Sequence, residues 1–138
     1  MTGIYQHSID AKGRLFIPSR LRDELGAAFY VTLSMEECLA AYSDESWARF
    51  EEKFNAMSRE NKNRMRVLFS HAARCELDGQ GRILIPQSLR QSVGLKKNVA
   101  VVGAGDCAQL WDSEKWAETD ALEKTTENIA AVFRELDF

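Results

Sequence analysis

The sequence predicts an α+β fold that is built from two copies of one module in a single chain. Three observations support this prediction: an internal repeat, short strands with alternating faces, and helical segments with apolar residues at three- and four-residue spacing. The chain has 138 residues, 45% of them hydrophobic, which suits one domain with a buried core. No low-complexity linker separates the copies, so we expect them to share that core.

The repeat is strongest at a shift of 68 residues. Between Asp10 and Gly26, eight of seventeen residues are identical to the residue 68 positions later. After one inserted residue the match continues at a shift of 69, where Trp47 corresponds to Trp116. Two equivalent modules predict a pseudo-twofold arrangement, whereas a solenoid needs three or more repeats.

Each module is expected to open with a hairpin of two strands. The strands are residues 4–9 and 14–17 in the first module, and 73–77 and 82–85 in the second. The segments between them, DAKG and DGQG, each contain a glycine that supplies the positive φ of a tight turn.

A short helix is expected next, followed by two more apolar strands and a closing helix. Pro18 and Pro86 end the second strand and suit the first turn of a helix, and Gly26 and Gly94 suit its end. We divide the chain into a first module (1–50), a helical linker (51–73), a second module (74–117) and a C-terminal helix (118–138).

The longer helices are predicted from apolar stripes. One face of the first carries Trp47, Phe50, Phe54 and Met57. Residues 65–72 predict a linker helix that pairs antiparallel with it. The segment 113–136 is mostly helical, with the stripe Ile129, Val132, Phe133 and Leu136.

Charge is unevenly distributed in a chain whose net charge is −3. Acidic residues gather in 36–54 and after residue 112, and basic residues gather in 12–22 and 61–74. One face is therefore expected to be basic although the whole chain is acidic.

The remaining composition argues against metal and membrane sites. Cys38, Cys75 and Cys107 form no C-x-x-C pair and are interpreted as small buried hydrophobes. With only His7 and His71 added, no spacing fits a zinc site. No apolar run is long enough to cross a bilayer and no signal peptide is recognisable, so we expect a cytosolic protein.

No catalytic motif is present, because the G-x-S-x-G, H-E-x-x-H and P-loop patterns are all missing. Asp10 and Asp78 could be an acid and base pair. We favour a role in which each holds the amides of its turn and orients the arginine four residues later, Arg14 or Arg82. No catalytic residue, cofactor or enzyme activity is predicted.

The basic residues of the first module favour nucleic acid. Lys12 and Arg14 flank Gly13 at the turn, and Arg20 and Arg22 follow on the short helix. A two-stranded β element fits the major groove of DNA, where arginine makes a bidentate pair with guanine. Neighbouring basic side chains would neutralise phosphates. A merely solvated basic surface is the alternative, and the repeated order D-x-x-G-R-x-x-[IL]-P disfavours it.

The second copy carries less charge, because glutamine and serine stand at the positions of Lys12 and Arg20. We expect the first module to make most of the contacts with DNA. Arg82 is expected either to recognise a second base or to pair with Asp78 at an interface. The predicted DNA-contact residues are Lys12, Arg14, Arg20, Arg22, Arg82 and Arg90. The predicted turn residues, which orient the arginines, are Asp10, Gly13, Asp78 and Gly81.

These residues resemble the MraZ family, bacterial transcriptional regulators with two SpoVT–AbrB-like modules in one chain. The D-x-x-x-R signature of that family is present at 10–14 and at 78–82. HSIDAKGRLFIP and LDGQGRILIP look like its two module openings, and WDSEKW looks like the end of its second module. The resemblance covers nearly the whole chain.

The resemblance implies a fold, a partner and a role. The fold would be a pseudo-twofold, swapped-hairpin β-barrel of AbrB type with flanking helices. Copies would assemble into a closed ring that binds double-stranded DNA at G-rich direct repeats. These repeats would lie in the promoter of the cell-division and cell-wall operon that encodes the protein, and the usual effect would be repression. The location would be the nucleoid, without a membrane partner, metal or cofactor.

Two alternatives stay open. A ring-forming protein-interaction module would use the arginines to grip an acidic partner instead of DNA. An antitoxin of the AbrB class is the other, although such chains usually carry one module and a toxin-binding tail.

Overall fold

The protein is described here by a computed structural model in which residues 1–137 are placed, and these form eight strands and six helices. The strands are β1 (Ile4–Ser8), β2 (Arg14–Phe16), β3 (Ala28–Leu33), β4 (Leu39–Tyr42), β5 (Ala73–Glu76), β6 (Arg82–Leu84), β7 (Asn98–Gly103) and β8 (Ala108–Asp112). The helices are α1 (Ser19–Leu25), α2 (Asp44–Asn55), α3 (Arg59–Ser70), α4 (Gln87–Ser92), α5 (Ser113–Glu123) and α6 (Thr126–Glu135).

The strands form two antiparallel sheets. Six of them lie in the order β1-β7-β8-β4-β3-β5, and β2 pairs with β6 in a separate two-stranded ribbon. Strands β1 to β4 of the first module are equivalent to β5 to β8 of the second. If each strand is replaced by its equivalent, the order of strands read from β1 becomes the order read from β5. The strand order therefore has the pseudo-twofold symmetry that the repeat predicts.

The first strand of each module pairs with a strand of the other module. β1 lies along β7 of the second module, with Ile4 opposite Val102. β5, the first strand of the second module, lies along β3 of the first, with Cys75 opposite Phe29. Each module is thus completed by a strand from the other.

The predicted hairpin between the first two strands of a module is wrong, because those strands lie in different sheets. The turn itself is closed, since the amide of Asp10 donates to the carbonyl of Arg14 at 3.0 Å. The amide of Ile9, however, donates to the carbonyl of Lys97 at 2.8 Å and so continues the pairing of β1 with β7. The chain then turns away towards the ribbon.

One core joins the ribbon to the six-stranded sheet. Leu15 of β2 and Ile83 of β6 are at most 1% exposed and pack in the same cluster as Phe29 and Val101 from the sheet. This confirms the expectation of a shared core. The predicted barrel closure is not confirmed, because the six-stranded sheet ends at β1 on one side and β5 on the other.

Helices α2 and α3 form the predicted antiparallel pair. The ring of Phe69 near the end of α3 lies 5.2 Å from Trp47 near the start of α2, and 4.3 Å from Phe54. These rings cover one face of β3 and β4, since Trp47 stacks on Tyr30 of β3 at 4.7 Å and lies 6.1 Å from the ring of Tyr42 of β4.

The C-terminal segment contains two helices instead of one. The hydroxyl of Thr125 accepts from the amide of Asn128 at 3.2 Å and so caps a new helix, which separates α5 from α6. Trp116 of α5 packs against Trp111 at 5.5 Å, whereas α6 has no buried residue. Residue 138, to which the C-terminal helix was predicted to extend, lies outside the described residues.

Among the described helices, none is long and apolar enough to span a bilayer.

Candidate nucleic-acid interface

The β2–β6 ribbon has one buried face and one solvent face. Arg14 lies opposite Leu84 in the register, and Phe16 lies opposite Arg82. These four side chains share the solvent face, because the strand residues between them point into the core. The ribbon thus brings together two arginines that the sequence places in separate modules.

Hydrogen bonds between the modules extend the ribbon at both ends. The amide of Ile17 donates to the carbonyl of Gly81 at 2.9 Å, and the amide of Ile85 donates to the carbonyl of Gly13 at 3.0 Å. Each turn is therefore fixed by the strand of the other module. This pairing holds the two arginine-bearing turns at opposite ends of one rigid element.

The Asp10 carboxylate organises the first turn. Its Oδ1 accepts from the amides of Lys12 and Arg14, both at 2.9 Å, and its Oδ2 accepts from Nε of Arg14 at 2.7 Å. The amide of Arg14, helped by its guanidinium, holds the pKa of Asp10 below its usual range. The structure therefore contains the hydrogen bonds that the favoured orienting role requires, and the role itself stays a prediction.

The second turn repeats this geometry. Oδ1 of Asp78 accepts from the amides of Gln80 and Arg82 at 2.9 Å, and Oδ2 accepts from Nε of Arg82 at 2.9 Å. The amide of Arg82 is again the main cause of a lowered pKa for Asp78. The D-x-x-x-R spacing thus builds the same clamp twice.

The clamp fixes each guanidinium while leaving its far end available. Within residues 1–137, Nη1 and Nη2 of Arg14 have no hydrogen-bond partner. Nη1 of Arg82 lies 3.8 Å from Oδ2 of Asp10. A guanidinium that is held at Nε and open at its Nη atoms suits a bidentate bond to a guanine edge or a phosphate.

Lys12 and Arg20 lie beside this face and are exposed. Lys12 is at the tip of the first turn, and Arg20 is in the first turn of α1. In the part of the chain that the structure describes, neither side chain has an ion-pair partner. Both positions suit a contact with a phosphate, which stays a prediction.

Arg22 and Arg90 are placed differently from what the sequence indicates. Each is half-buried and packs against the turn of the other module. A Cβ added at Gly13 would lie 2.9 Å from Nη2 of Arg90. A Cβ added at Gly81 would clash with Nη1 of Arg22. The structure therefore gives these arginines a bracing role between modules, and their contact with DNA stays a prediction.

The glycines of the two turns are required by this packing. Gly13 has a φ of +87° and Gly81 has a φ of +77°, a region that side chains disfavour. Both are buried beneath the arginine of the other module. Their predicted role in the turn is therefore joined by a second one, the close approach of a guanidinium.

Sequence reasoning missed two apolar residues of the ribbon's solvent face. Phe16 is sheltered by the ring of His7 at 4.9 Å and by the guanidinium of Arg22 at 5.2 Å. Leu84, the equivalent residue of the second module, is 59% exposed. Period-two alternation places Phe16 on the same face as Arg14 and Leu84 on the same face as Arg82, and that signal would have found them.

The cysteines are buried, as interpreted from the sequence. Burial raises the pKa of the Cys38 and Cys75 thiols to about 11, so both are protonated at neutral pH. Among residues 1–137, no cluster of three or more His, Cys, Asp or Glu side chains is arranged to hold a metal ion.

The fold and the site define a class of α+β proteins in which two tandem modules exchange strands around one arginine-bearing ribbon. The family model described as "MraZ protein, putative antitoxin-like" matches residues 1–69 and, a second time, residues 68–135. The chain belongs to the MraZ family.

Named relatives are similar over most of their length. A protein of Heliobacterium modesticaldum is 45% identical over 119 residues, 84% of this chain and 83% of its own. One of Acetivibrio thermocellus is 43% identical over 132 residues, 93% of this chain and 92% of its own. One of Halothermothrix orenii is 38% identical over 138 residues, 97% of this chain and 96% of its own. Each is named "Transcriptional regulator MraZ".

Proposed function

We propose that this protein is a transcriptional regulator that binds double-stranded DNA through the solvent face of the β2–β6 ribbon. The observation that carries the proposal is the pair of clamped arginines, Arg14 and Arg82, on one face of a two-stranded antiparallel element. Such an element fits the major groove of B-form DNA. The names of the relatives support the same conclusion.

In this proposal the basic side chains have three different roles. Arg14 and Arg82 donate to base edges from the two ends of the ribbon, and guanine is the base that a bidentate arginine favours. Lys12 and Arg20 contact phosphates and set the register. Arg22 and Arg90 hold the turns in place and add positive charge at the margin of the interface.

The proposal extends to assembly and target. One ribbon makes few base contacts, so a single subunit binds DNA weakly. Several subunits in a closed ring, built from barrel-like subunits and bound to spaced G-rich direct repeats, gain affinity through effective concentration. We place these repeats in the promoter of the cell-division and cell-wall operon that encodes the protein. There the ring acts as a repressor within the nucleoid.

A mobility-shift experiment with the DNA upstream of the protein's own gene tests the proposal. A labelled fragment should shift at a protein concentration that leaves a scrambled fragment of the same composition unbound. Binding should also weaken steeply as the salt concentration rises, because neutralised phosphates release counterions.

Three results would count against it. Equal binding to both fragments would show that binding does not depend on the DNA sequence. An affinity that does not change with salt concentration would show that the protein does not neutralise phosphates. Binding to neither fragment would overturn the DNA-binding function and favour the ring-forming protein-interaction module instead.

A further inference from the structure

The exposed side of α6 is an apolar stripe. None of the residues of α6 is buried, and Ile129, Val132 and Leu136 are 45%, 46% and 61% exposed. Their spacing of three and four residues places them on one side of the helix. Side chains of this size on one side of an amphipathic helix indicate a surface that another element covers.

The α5 helix does not offer α6 a place to pack. In the first module, α3 is held on α2 because Phe69 lies 5.3 Å from Phe50 and 4.3 Å from Phe54. At the shift of 69 that relates the modules, Phe50 and Phe54 correspond to Thr119 and Glu123 of α5. The second module therefore lacks the aromatic residues that fold the first pair of helices together.

An apolar groove is present on the other module. It encloses about 430 Å³ between the six-stranded sheet and the α2–α3 pair. Its apolar walls are formed by Leu33, Met35, Ala40, Phe50, Met65 and Leu68. No lining residue comes from α5 or α6 of the same chain. The groove has the size and the chemistry to receive two or three aliphatic side chains from a helix.

The charges beside the stripe and beside the groove are complementary. Within residues 113–137 there are seven acidic and three basic residues. Helix α3 has the opposite balance, with one acidic residue, Glu60, and four basic ones: Arg59, Lys62, Arg64 and Arg66. Most of this negative charge is on α5, since α6 itself carries only Glu127 and Glu135 against Arg134. The C-terminal segment that carries the stripe is therefore opposite in charge to α3, although Glu36 also lines the groove.

We propose that the stripe of α6 binds the α2–α3 groove of a second copy of this chain. Only Lys124 and Thr125 separate α5 from α6, so α6 has little freedom to swing back onto its own groove. The two surfaces belong to different parts of the chain, which makes the contact head-to-tail. Such a contact gives a ring when the rotation between successive copies closes, and an open filament otherwise. The inference rests on the closed assembly proposed above and identifies its interface.

Photo-crosslinking in the full-length chain tests this contact. Benzoylphenylalanine is introduced at Val132, unlabelled and ¹⁵N-labelled chains are mixed and allowed to exchange, and crosslinked peptides are identified by mass spectrometry. We expect peptides that join α6 to the segment containing Met65 and Leu68 and that mix the two isotope labels. The matched control carries the photo-crosslinker at Ala131, which is exposed on the polar side of α6. It should give few such peptides.

Crosslinks confined to one chain would overturn the proposal, and so would crosslinks between copies that join α6 to a different surface.

Light scattering provides an independent test. Val132→Asp should weaken assembly about tenfold or more, because it places a charge in an apolar contact. Ala131→Asp should leave the assembly unchanged. The circular dichroism spectrum should be unchanged in both variants, because both side chains are exposed in the single chain. The melting temperature of Val132→Asp should fall only as far as the lost assembly had raised it. A Val132→Asp protein of unchanged assembled mass would overturn this interface alone, whereas a monomeric wild-type protein would overturn the ring as well. DNA binding is measured separately on a fragment with a single repeat. A wild-type protein that does not bind this fragment would contradict the proposed role of the ribbon, and not the α6 contact.

Discussion

The Nη1 atom of Arg82 lies 3.8 Å from Oδ2 of Asp10, so the second module's arginine shares the carboxylate that holds Arg14. Within residues 1–137 there is no matching ion pair between Arg14 and Asp78. The two clamped arginines are therefore similar in local geometry and different in surroundings. Arg14 keeps both Nη atoms available, whereas Arg82 has one of them near a carboxylate.

Replacement of the two arginines should consequently have unequal effects. Arg14→Ala should cost about 1–3 kcal/mol of binding to promoter DNA, roughly 5- to 150-fold in the dissociation constant, as expected for one bidentate base contact. Arg82→Ala should cost less. Fluorescence anisotropy of a labelled promoter fragment measures both, with light scattering as the control for an intact assembly. Equal losses would contradict the asymmetry, and an unchanged affinity of Arg14→Ala would remove Arg14 from the interface.

The two phosphate-contacting candidates can be exchanged for the residues that the second module already has. Lys12→Gln and Arg20→Ser should each reduce the slope of log affinity against log salt by about 0.9. Both should weaken binding to promoter and scrambled fragments alike, because a phosphate contact carries no sequence information. Gln80→Lys is the reverse control and should increase the slope. A loss limited to the promoter fragment would indicate base recognition by these residues.

Leu84 is expected to contact a thymine methyl group, because apolar side chains recognise that group in the major groove. Leu84→Ala should weaken promoter binding several-fold, and replacement of the promoter thymines by deoxyuridine should do the same. The two changes together should cost little more than either alone, which a double-mutant cycle measures. Fully additive losses would show that Leu84 does not contact a methyl group.

The lowered pKa of Asp10 predicts how its contribution to stability depends on pH. An aspartate whose pKa is lower in the folded state stabilises the fold fully above its unfolded pKa of about 3.9, and this contribution is lost as the pH falls through the folded value. The difference in melting temperature between wild type and Asp10→Asn should therefore be constant from pH 7 to 5. It should shrink below about pH 4. If the difference in melting temperature stayed the same below pH 4, the lowered pKa of Asp10 in the folded protein would be contradicted.

Gly81 should be far less tolerant of a side chain than its neighbour Gly79. Gly81→Ala places a Cβ at positive φ against the guanidinium of Arg22, which should lower the free energy of unfolding by about 1–2 kcal/mol. Nothing lies within 4 Å of a Cβ at Gly79, so Gly79→Ala should change it by less than about 0.5 kcal/mol. Chemical denaturation measures both variants. Similar values for the two variants would mean that neither the positive φ nor the nearby guanidinium of Arg22 penalises a side chain at Gly81.

Local signals in the sequence were sufficient to predict the helix α1 and the two arginine clamps. Pro18 and Gly26 delimit α1 on either side, and the structure has it at Ser19–Leu25. The D-x-x-x-R spacing predicts the bond from Arg14 to Asp10, because both residues belong to one turn. Each of these features is decided within a few residues of chain.

The partners of β1 and of the bracing arginines could not be predicted in the same way. An alternating strand followed by a tight turn has the same pattern whether it pairs with its neighbour or with a strand far away, so β1 was assigned to the wrong partner. Arg22 and Arg90 were placed with the exposed basic residues because their cover comes from the other module. Such contacts depend on how the two modules pack together, and the residues next to them in the sequence do not indicate them.

The pairing of Ile4 with Val102 has a consequence for the growing chain. The first strand leaves the ribosome long before its partner is made, since roughly a hundred residues lie between them. During that interval β1 is an unpaired edge, and the first half of the protein has no completed sheet. The six-stranded sheet can therefore be completed only after β7 has been synthesised, and a chain cut short before β7 would leave the edge of β1 unpaired.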